Sequence, residues 1–296
     1  MSPQNDRKPT KAERTAEARE KARQIREEQK RKEKRNKLLI RSGVLVALVA
    51  VVAVIALIVT TNLRSAAPIA DNGPTPANAN AHGGVVLGAK NTVSAVSAST
   101  ISMSDVPTSA PSPTAPGAAV VPPGVAKSPA GKPVQIVAYV DFICPVCQRF
   151  EQQYGADLTK WRDAGQATVE YRALGFLDQN STTKYSSRAA NAAACVANSS
   201  PTKYADFFNA LYAQQPAEGS AGLSNDQLKK IAADAGAGDI GSCVDSGTYR
   251  PYVKAISAEA QAYGITGTPT VFVDGQKWDG STDFKAFVDG IIKAKK

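Results

Sequence analysis

Four cysteines are the residues of this chain best suited to covalent chemistry, and two of them stand close together in Cys144-Pro145-Val146-Cys147. Three residues of separation allow the two sulfurs to meet in a small ring. A thiolate is the reactive form of cysteine, and the N-terminus of a helix stabilises it. The motif therefore predicts a thiol–disulfide exchange site, provided that a helix begins at this point.

The flanking sequence supplies the elements that this site needs. The apolar run 134–140 is typical of a buried parallel strand. A helix is predicted from Pro145 to about Ala164, with the proline at the first helical position, where its missing N–H is not needed. Residues 168–174 alternate between apolar and polar types and predict a second strand.

The rest of the chain predicts a helical block followed by a return to strand. The helical tracts are 181–197, 202–214, 224–235 and 249–263. Ser224 and Gln227 have the spacing of a capping box. A hairpin is predicted from strand 270–273, the turn Asp274-Gly275 and residues 276–278, and the helix 283–293 closes the chain. The order β-α-β, helical block, β-β-α indicates one α/β domain over residues 132–296.

Gly267-Thr268-Pro269-Thr270 stands just before the predicted strand 270–273. A cis bond before Pro269 would turn the backbone sharply and leave the chain beside Thr268 open to pairing with an extended peptide. The alternative is a trans Pro269 in an ordinary loop. The combination with the cysteine motif favours the cis form.

The other two cysteines, Cys195 and Cys243, stand 48 residues apart, each alone within the helical block. Structural zinc sites usually combine two short cysteine spacings, so no metal site is predicted. A structural disulfide between them is favoured and would contribute about 3–4 kcal/mol. Two free, buried thiols remain the alternative.

These motifs together resemble those of the DsbA-type thiol–disulfide oxidoreductases, in particular the membrane-anchored actinobacterial and mycobacterial kind. The resemblance covers residues 132–296 and rests on 139–147, the helical block (about 181–263) and 267–270. It implies a thioredoxin-like fold with an inserted helical domain. The separation of 122 residues between Cys147 and Pro269 argues against a plain thioredoxin.

The resemblance also implies a role for each site residue. Cys144 is expected to be the exposed nucleophile and Cys147 the buried resolving cysteine. Pro269 and Thr268 are expected to shape the substrate groove. Cys195 and Cys243 resemble the second disulfide of the mycobacterial members. No cofactor is implied beyond the redox-active disulfide itself.

Two positions depart from the family pattern. Val146 stands where the best-studied members carry a histidine that stabilises the thiolate. We therefore expect the pKa of Cys144 to be less depressed, and its potential less oxidising, than in those members. Ala138 stands where the family often has a buried acid. Asp141 is nearer the motif, but we expect it to be partly solvated and not to take over that role.

The segment before the domain predicts a membrane anchor. Residues 42–62 are uncharged over 21 positions, enough for a helix of about 30 Å, the thickness of a bilayer core. A cleavable signal peptide is the alternative, but its apolar region is shorter and its leading region short. Residues 1–41 carry a net charge of +8, so they are expected to be cytoplasmic and the rest extracytoplasmic.

The basic tail (1–41) interleaves both signs of charge, for example at Arg23 and Glu27. This pattern is typical of a solvated helix. We expect the tail to set topology and to contact anionic lipid headgroups. Nucleic-acid binding is the less favoured alternative.

Residues 63–131 are rich in Ala, Pro and Ser and predict an extracytoplasmic linker. Residues 84–88 could instead form an edge strand of the domain, and the sequence leaves this open. His82 lies in this segment without a catalytic or metal-binding partner nearby in the sequence, so no role is predicted for it.

The favoured function is an oxidase that introduces disulfides into secreted and cell-envelope proteins. The resemblance implies a quinone-linked membrane partner of the VKOR or DsbB type that reoxidises it. A reductase or isomerase of the same fold is one alternative. A tethered peptide-binding or chaperone module without turnover is another, although the presence of both Cys144 and Cys147 weighs against it.

Overall fold

The computed structural model describes residues 11–66, 68–111 and 120–295. In the first helix it describes only some of the side chains. The chain divides into two compact units, Met1–Arg64 and Ser65–Lys296. Each is described by itself.

The first unit is built on one long helix, α1 (Lys11–Ala66). Ion pairs join Arg23 to Glu27 and Glu28 to Lys32 one turn apart, as the interleaved charges predict. No helix among the described residues is both long and apolar enough to cross a membrane. Most side chains of the predicted anchor (42–62) lie outside the described part of the chain, so the anchor stays a prediction.

The second unit mixes strands and helices. In chain order these are β1 (Asn72–Pro74), β2 (Val85–Leu87), β3 (Thr100–Ser102), β4 (Val134–Val140), α2 (Pro145–Asp163), β5 (Ala167–Ala173), α3 (Tyr185–Ser199), α4 (Tyr204–Ala213), α5 (Asn225–Asp234), α6 (Gly241–Ser246), α7 (Arg250–Ala262), β6 (Thr270–Val273), β7 (Gln276–Lys277) and α8 (Phe284–Lys295). From β4 onward this is the predicted order, with the short helix α6 as an addition.

A five-stranded sheet in the order β2-β5-β4-β6-β7 forms the centre of the second unit. The central strand β4 runs parallel to β5 and antiparallel to β6. Nearly every residue of β4 is buried, as its continuous apolar sequence predicts. Asp274 and Gly275, both with positive φ, make the tight turn between β6 and β7.

Residues 68–111 and 120–131, here called the N-terminal arm, differ from the linker predicted for 63–131. Strand β2 pairs with β5 at the edge of the central sheet, which answers the question left open for residues 84–88. Strands β1 and β3 form a separate two-stranded sheet. The arm thus belongs to the folded unit, because buried side chains such as Val85 and Leu87 outweigh its linker-like composition.

Polar contacts also fasten the arm. Asp71 forms an ion pair with Lys254 on α7 at 2.6 Å, and the Tyr252 hydroxyl donates to the carbonyl of Gly83. His82, for which the sequence shows no neighbouring partner, lies close to Glu259, with 3.7 Å between its Nδ1 and the Glu259 carboxylate. Folding brings this partner from far along the chain.

Helices α3 to α7 form the inserted helical domain between β5 and β6. The predicted capping box is present at the start of α5, where Ser224 and Gln227 exchange hydrogen bonds between side chain and backbone. Alanines fill much of the buried length of α3, which allows its neighbours to approach closely. The α4 end of this domain reaches the cysteine motif.

Candidate active site

The cysteine motif lies where the central strand β4 leads into helix α2. Cys144 is the N-cap residue of α2, and Pro145 occupies its first turn as predicted. Cys147 follows within that first turn. Both sulfurs are therefore placed at the positive end of the helix dipole.

Cys144 is less accessible than the sequence indicates. About 5% of its surface is exposed, and Cys147 is fully buried. The expectation of an exposed Cys144 is wrong because the loop before β6 packs over it. The Cys144 thiol donates to the carbonyl oxygen of Thr268 at 3.1 Å, and the Thr268–Pro269 bond is cis.

The pKa values of the two thiols are shifted in opposite directions. A hydrogen bond from Cys147 lowers the pKa of Cys144 to about 6, with further contributions from Thr268 and from the backbone N–H groups of Cys147 and Val146, against the effect of burial. Burial raises the pKa of Cys147 well above its usual range, and the neighbouring Cys144 adds to this. At neutral pH the pair holds one thiolate, on Cys144.

Val146 contributes no charge to this stabilisation. Its side chain is 47% exposed, so it faces solvent beside the reactive pair. The thiolate is stabilised instead by the cysteine partner, by the side chain of Thr268 and by the backbone at the start of α2.

Asp141 is fully buried, which corrects the expectation that it is partly solvated. Its carboxylate accepts hydrogen bonds from the backbone N–H groups of Ile143 and Leu177 and so braces the turn before α2. Burial nevertheless raises the pKa of Asp141 to about 7. Ala138 in β4 is buried and has no titratable group there.

A second acid, Glu151, follows Cys147 by one turn of α2 and is partly buried. Its Oε2 accepts a hydrogen bond from the Tyr171 hydroxyl at 3.1 Å, while its Oε1 is buried without a partner. Burial raises the pKa of Glu151 to about 8. The sequence gives no signal for this residue, because polar positions of an amphipathic helix are expected to face solvent.

The helical domain reaches the motif through the end of α4 and the residues after it. The Gln215 amide donates to the backbone carbonyls of Phe142 and Cys144, at 3.1 and 3.0 Å. The Gln148 amide donates in the other direction, to the carbonyl of Tyr212. These contacts escape sequence analysis, since isolated glutamines carry no pattern.

Cys195 and Cys243 form a disulfide that joins α3 to α6. The alternatives of two free thiols and of zinc ligands are therefore wrong for this pair. Cys144 and Cys147 are the free cysteines. The fold brings together Cys144, Cys147, Thr268 and Pro269, and it keeps the structural pair apart from them in the helical domain.

Comparison with known proteins agrees with this arrangement. The family model Thioredoxin_4, described as thioredoxin, matches residues 130–294. Reduced DsbA from Mycobacterium tuberculosis is similar at 32% identity, over 59% of this chain and 89% of that protein, with a TM-score of 0.50. Reduced DsbG from the same organism is similar at 33% identity, over 61% and 88%, also with a TM-score of 0.50.

The matched region spans more than half of the chain, and the chain therefore belongs to the thioredoxin family, within it to the DsbA-like disulfide oxidoreductases. A curated relative is the serine/threonine-protein kinase PknE of Mycobacterium tuberculosis. It is 36% identical over 157 residues, which are 50% of this chain and 27% of the kinase. The chain thus spans about a quarter of the length of the curated relatives it matches.

Proposed function

We propose that this disulfide oxidoreductase acts as an oxidase that donates its Cys144–Cys147 disulfide to secreted and cell-envelope proteins. The observation that carries the proposal is the difference between the two thiols. The pKa of Cys144 is lowered to about 6 while that of Cys147 is raised. A thiolate that is stable in the reduced form makes the disulfide a better oxidant.

The exchange begins when a substrate thiolate attacks the Cys144 sulfur of the disulfide. The Cys144–Cys147 bond breaks, Cys147 leaves as a thiolate and takes up a proton, and a mixed disulfide forms between substrate and Cys144. A second substrate thiolate then attacks the substrate sulfur of that bond and releases Cys144 as a thiolate. Two electrons have passed to the enzyme, and the substrate holds a new disulfide.

Thr268 and Pro269 supply the surface beside the sulfur on which an extended substrate segment would lie. The Thr268 carbonyl lies against the Cys144 thiol, next to the cis bond at Pro269. Backbone pairing of this kind recognises extended chains with little dependence on sequence, which suits an enzyme with many substrates.

The proposed location is outside the cytoplasmic membrane, with a single anchor at 42–62 and the basic tail (1–41) inside. The uncharged stretch of 21 residues and the net charge of +8 before it support this topology. The Cys195–Cys243 disulfide also fits an oxidising compartment. A quinone-linked membrane protein of the VKOR or DsbB type is the proposed reoxidant, and anionic lipid is the proposed contact of the tail.

The direction of electron flow is tested by equilibrating the full-length protein with glutathione buffers and measuring its reduction potential. An oxidase predicts a value nearer about −120 mV than about −270 mV and catalysed oxidative refolding of a reduced protein. A value near the lower limit, with reduction of disulfides instead, would favour the reductase. Refolding assistance that survives Cys144→Ser would favour the chaperone alternative.

The topology has its own test. A tag after Lys296 should be removed by external protease from cells without an outer wall, while a tag before Met1 should be protected until lysis. Release of the C-terminal portion by washing, without detergent, would favour the cleaved signal peptide over the anchor.

A further inference from the structure

The turn that precedes the reactive thiol is held from outside the thioredoxin-like sheet. The peptide unit between Phe142 and Ile143 is fixed at both ends: its N–H donates to Asp141, and its carbonyl accepts from Gln215. The N–H of Cys144 donates to the carbonyl of Asp141. Of these partners, only Gln215 belongs to the helical domain.

Gln215 makes a second bond, and it is to the reactive cysteine itself. The Cys144 carbonyl accepts the Gln215 amide at 3.0 Å and the N–H of Gln148 at 3.2 Å. A carbonyl oxygen is the negative end of a peptide dipole and lies on the same residue as the thiolate. The amide hydrogens of Gln215 offset that negative charge at a distance where partial charges matter in a buried site.

The helical domain and the cysteine motif each donate hydrogen bonds to the other. Gln148, on the first turns of α2, donates to the carbonyl of Tyr212 at 2.8 Å, and the Tyr212 hydroxyl donates to the carbonyl of Asp141. Four hydrogen bonds thus join the end of α4 to the motif. They fix the rotation of the first turn of α2, whose N–H groups at Val146 and Cys147 face the Cys144 sulfur.

We propose that Gln215 is a positioning residue of the exchange reaction, through which the inserted helical domain sets the reactivity of Cys144. The inference rests on Cys144 being the reactive thiol of the proposed function, but it holds for either direction of electron flow. Gln215 touches neither sulfur. It acts through the backbone carbonyls on both sides of Ile143.

The test replaces the amide by an apolar group of similar volume. Full-length Gln215→Leu is reduced under mild conditions that leave Cys195–Cys243 intact, and iodoacetamide labelling of Cys144 is followed against pH by mass spectrometry. The apparent pKa of Cys144 should rise by about half a unit to one unit, so that labelling at pH 6 slows about twofold to fivefold. Gln214→Leu, an exposed neighbour, is the matched control and should leave the profile unchanged.

Gln148→Leu removes the reciprocal bond without touching the carbonyls of the turn, so it should shift the profile less than Gln215→Leu. An unchanged profile in a folded Gln215→Leu protein would show a merely structural contact and overturn the inference. If the wild-type profile itself lacked a lowered pKa, the proposed role of Cys144 would fail first.

A measurement on the unaltered protein covers the case in which Gln215→Leu does not fold. The side-chain amide resonances of Gln215 in the reduced wild-type protein should titrate with the pKa of Cys144, because the shared carbonyl couples them. Resonances that stay constant through that range would contradict the inference, and those of Gln214 serve as the reference.

Discussion

The two cysteine pairs of this protein show how the surroundings of a cysteine decide whether it is reactive or structural. Cys144 and Cys147 lie three residues apart at a strand-to-helix turn, among backbone N–H groups and hydrogen-bonding partners. Cys195 and Cys243 lie 48 residues apart, and Cys195 is buried in the alanine-rich helix α3. A stabilised thiolate favours the reduced dithiol, whereas an apolar interior does not stabilise a thiolate. We therefore expect the first pair to exchange, while the second is held as a disulfide.

Removing the sulfur of Cys144 is the largest change that this comparison allows. Cys144→Ser should reduce disulfide exchange to the background rate, because a serine hydroxyl is neither ionised nor reducible. Catalysed refolding of a reduced, unfolded protein is the measurement. Turnover that persists would place the reaction at another residue.

Removing the Cys195–Cys243 disulfide should lower the stability of the protein and leave disulfide exchange at Cys144 unchanged. The double variant Cys195→Ala/Cys243→Ala should lower the free energy of unfolding by about 3–4 kcal/mol, as expected for a closed loop of this length. Denaturant unfolding measures the loss. The pKa of Cys144 should remain where it is, and a shift of half a unit or more would show that the two pairs are coupled.

Glu151, near the reactive pair, should make the stability of the protein depend on pH. An acid whose pKa is raised on folding destabilises the folded state as pH rises from its unfolded pKa, near 4, through its folded value of about 8. Glu151→Gln imitates the protonated form. It should therefore raise the free energy of unfolding by on the order of 4 kcal/mol at pH 8 and change little at pH 4.

Unfolding curves of wild type and Glu151→Gln across this range provide the measurement. Glu218→Gln, at an exposed position in the loop after α4, is a suitable control and should show no comparable pH dependence. A difference that grows toward acid pH would reverse the sign and contradict the assignment.

The smallest expected effect concerns the exposed position inside the motif. Val146→His should lower the pKa of Cys144 by about half a unit to one unit when the imidazole is protonated, since a nearby cation favours the thiolate. The reduction potential should become less negative in the same variant. Val146→Thr, which adds no charge, is the control, and equal potentials in the two variants would show that the side chain at this position is too solvated to matter.

The motif and its supporting elements were accessible to sequence analysis because they are local. The strand β4, the helix start at Pro145 and the hairpin follow from periodicity and turn residues in short windows, and the cis Pro269 was favoured because its motif occurs together with the cysteine motif. The helical tracts were likewise predicted, apart from α6, which is too short for a periodic pattern. The pairing of Cys195 with Cys243 was favoured because their spacing does not suit a zinc site, and the resemblance to the DsbA type supported it.

What the sequence did not reveal depends on contacts between distant segments. The N-terminal arm has the composition of a linker, and its place in the fold comes from burial of a few side chains and from partners such as Lys254. The surroundings of Asp141 and Glu151 likewise come from distant segments, through Leu177 at the first carboxylate and Tyr171 at the second. Gln215 lies 71 residues beyond Cys144, so no spacing rule connects the two.

The pairing of β2 with β5 bears on the tendency of the protein to aggregate with other chains. Without the arm, the long strand β5 would end the sheet with a row of open backbone groups. With it, the terminal strands of the central sheet in the described residues are β2 and β7, three and two residues long. Such short edge strands give a neighbouring chain few open backbone groups to pair with, which guards against aggregation.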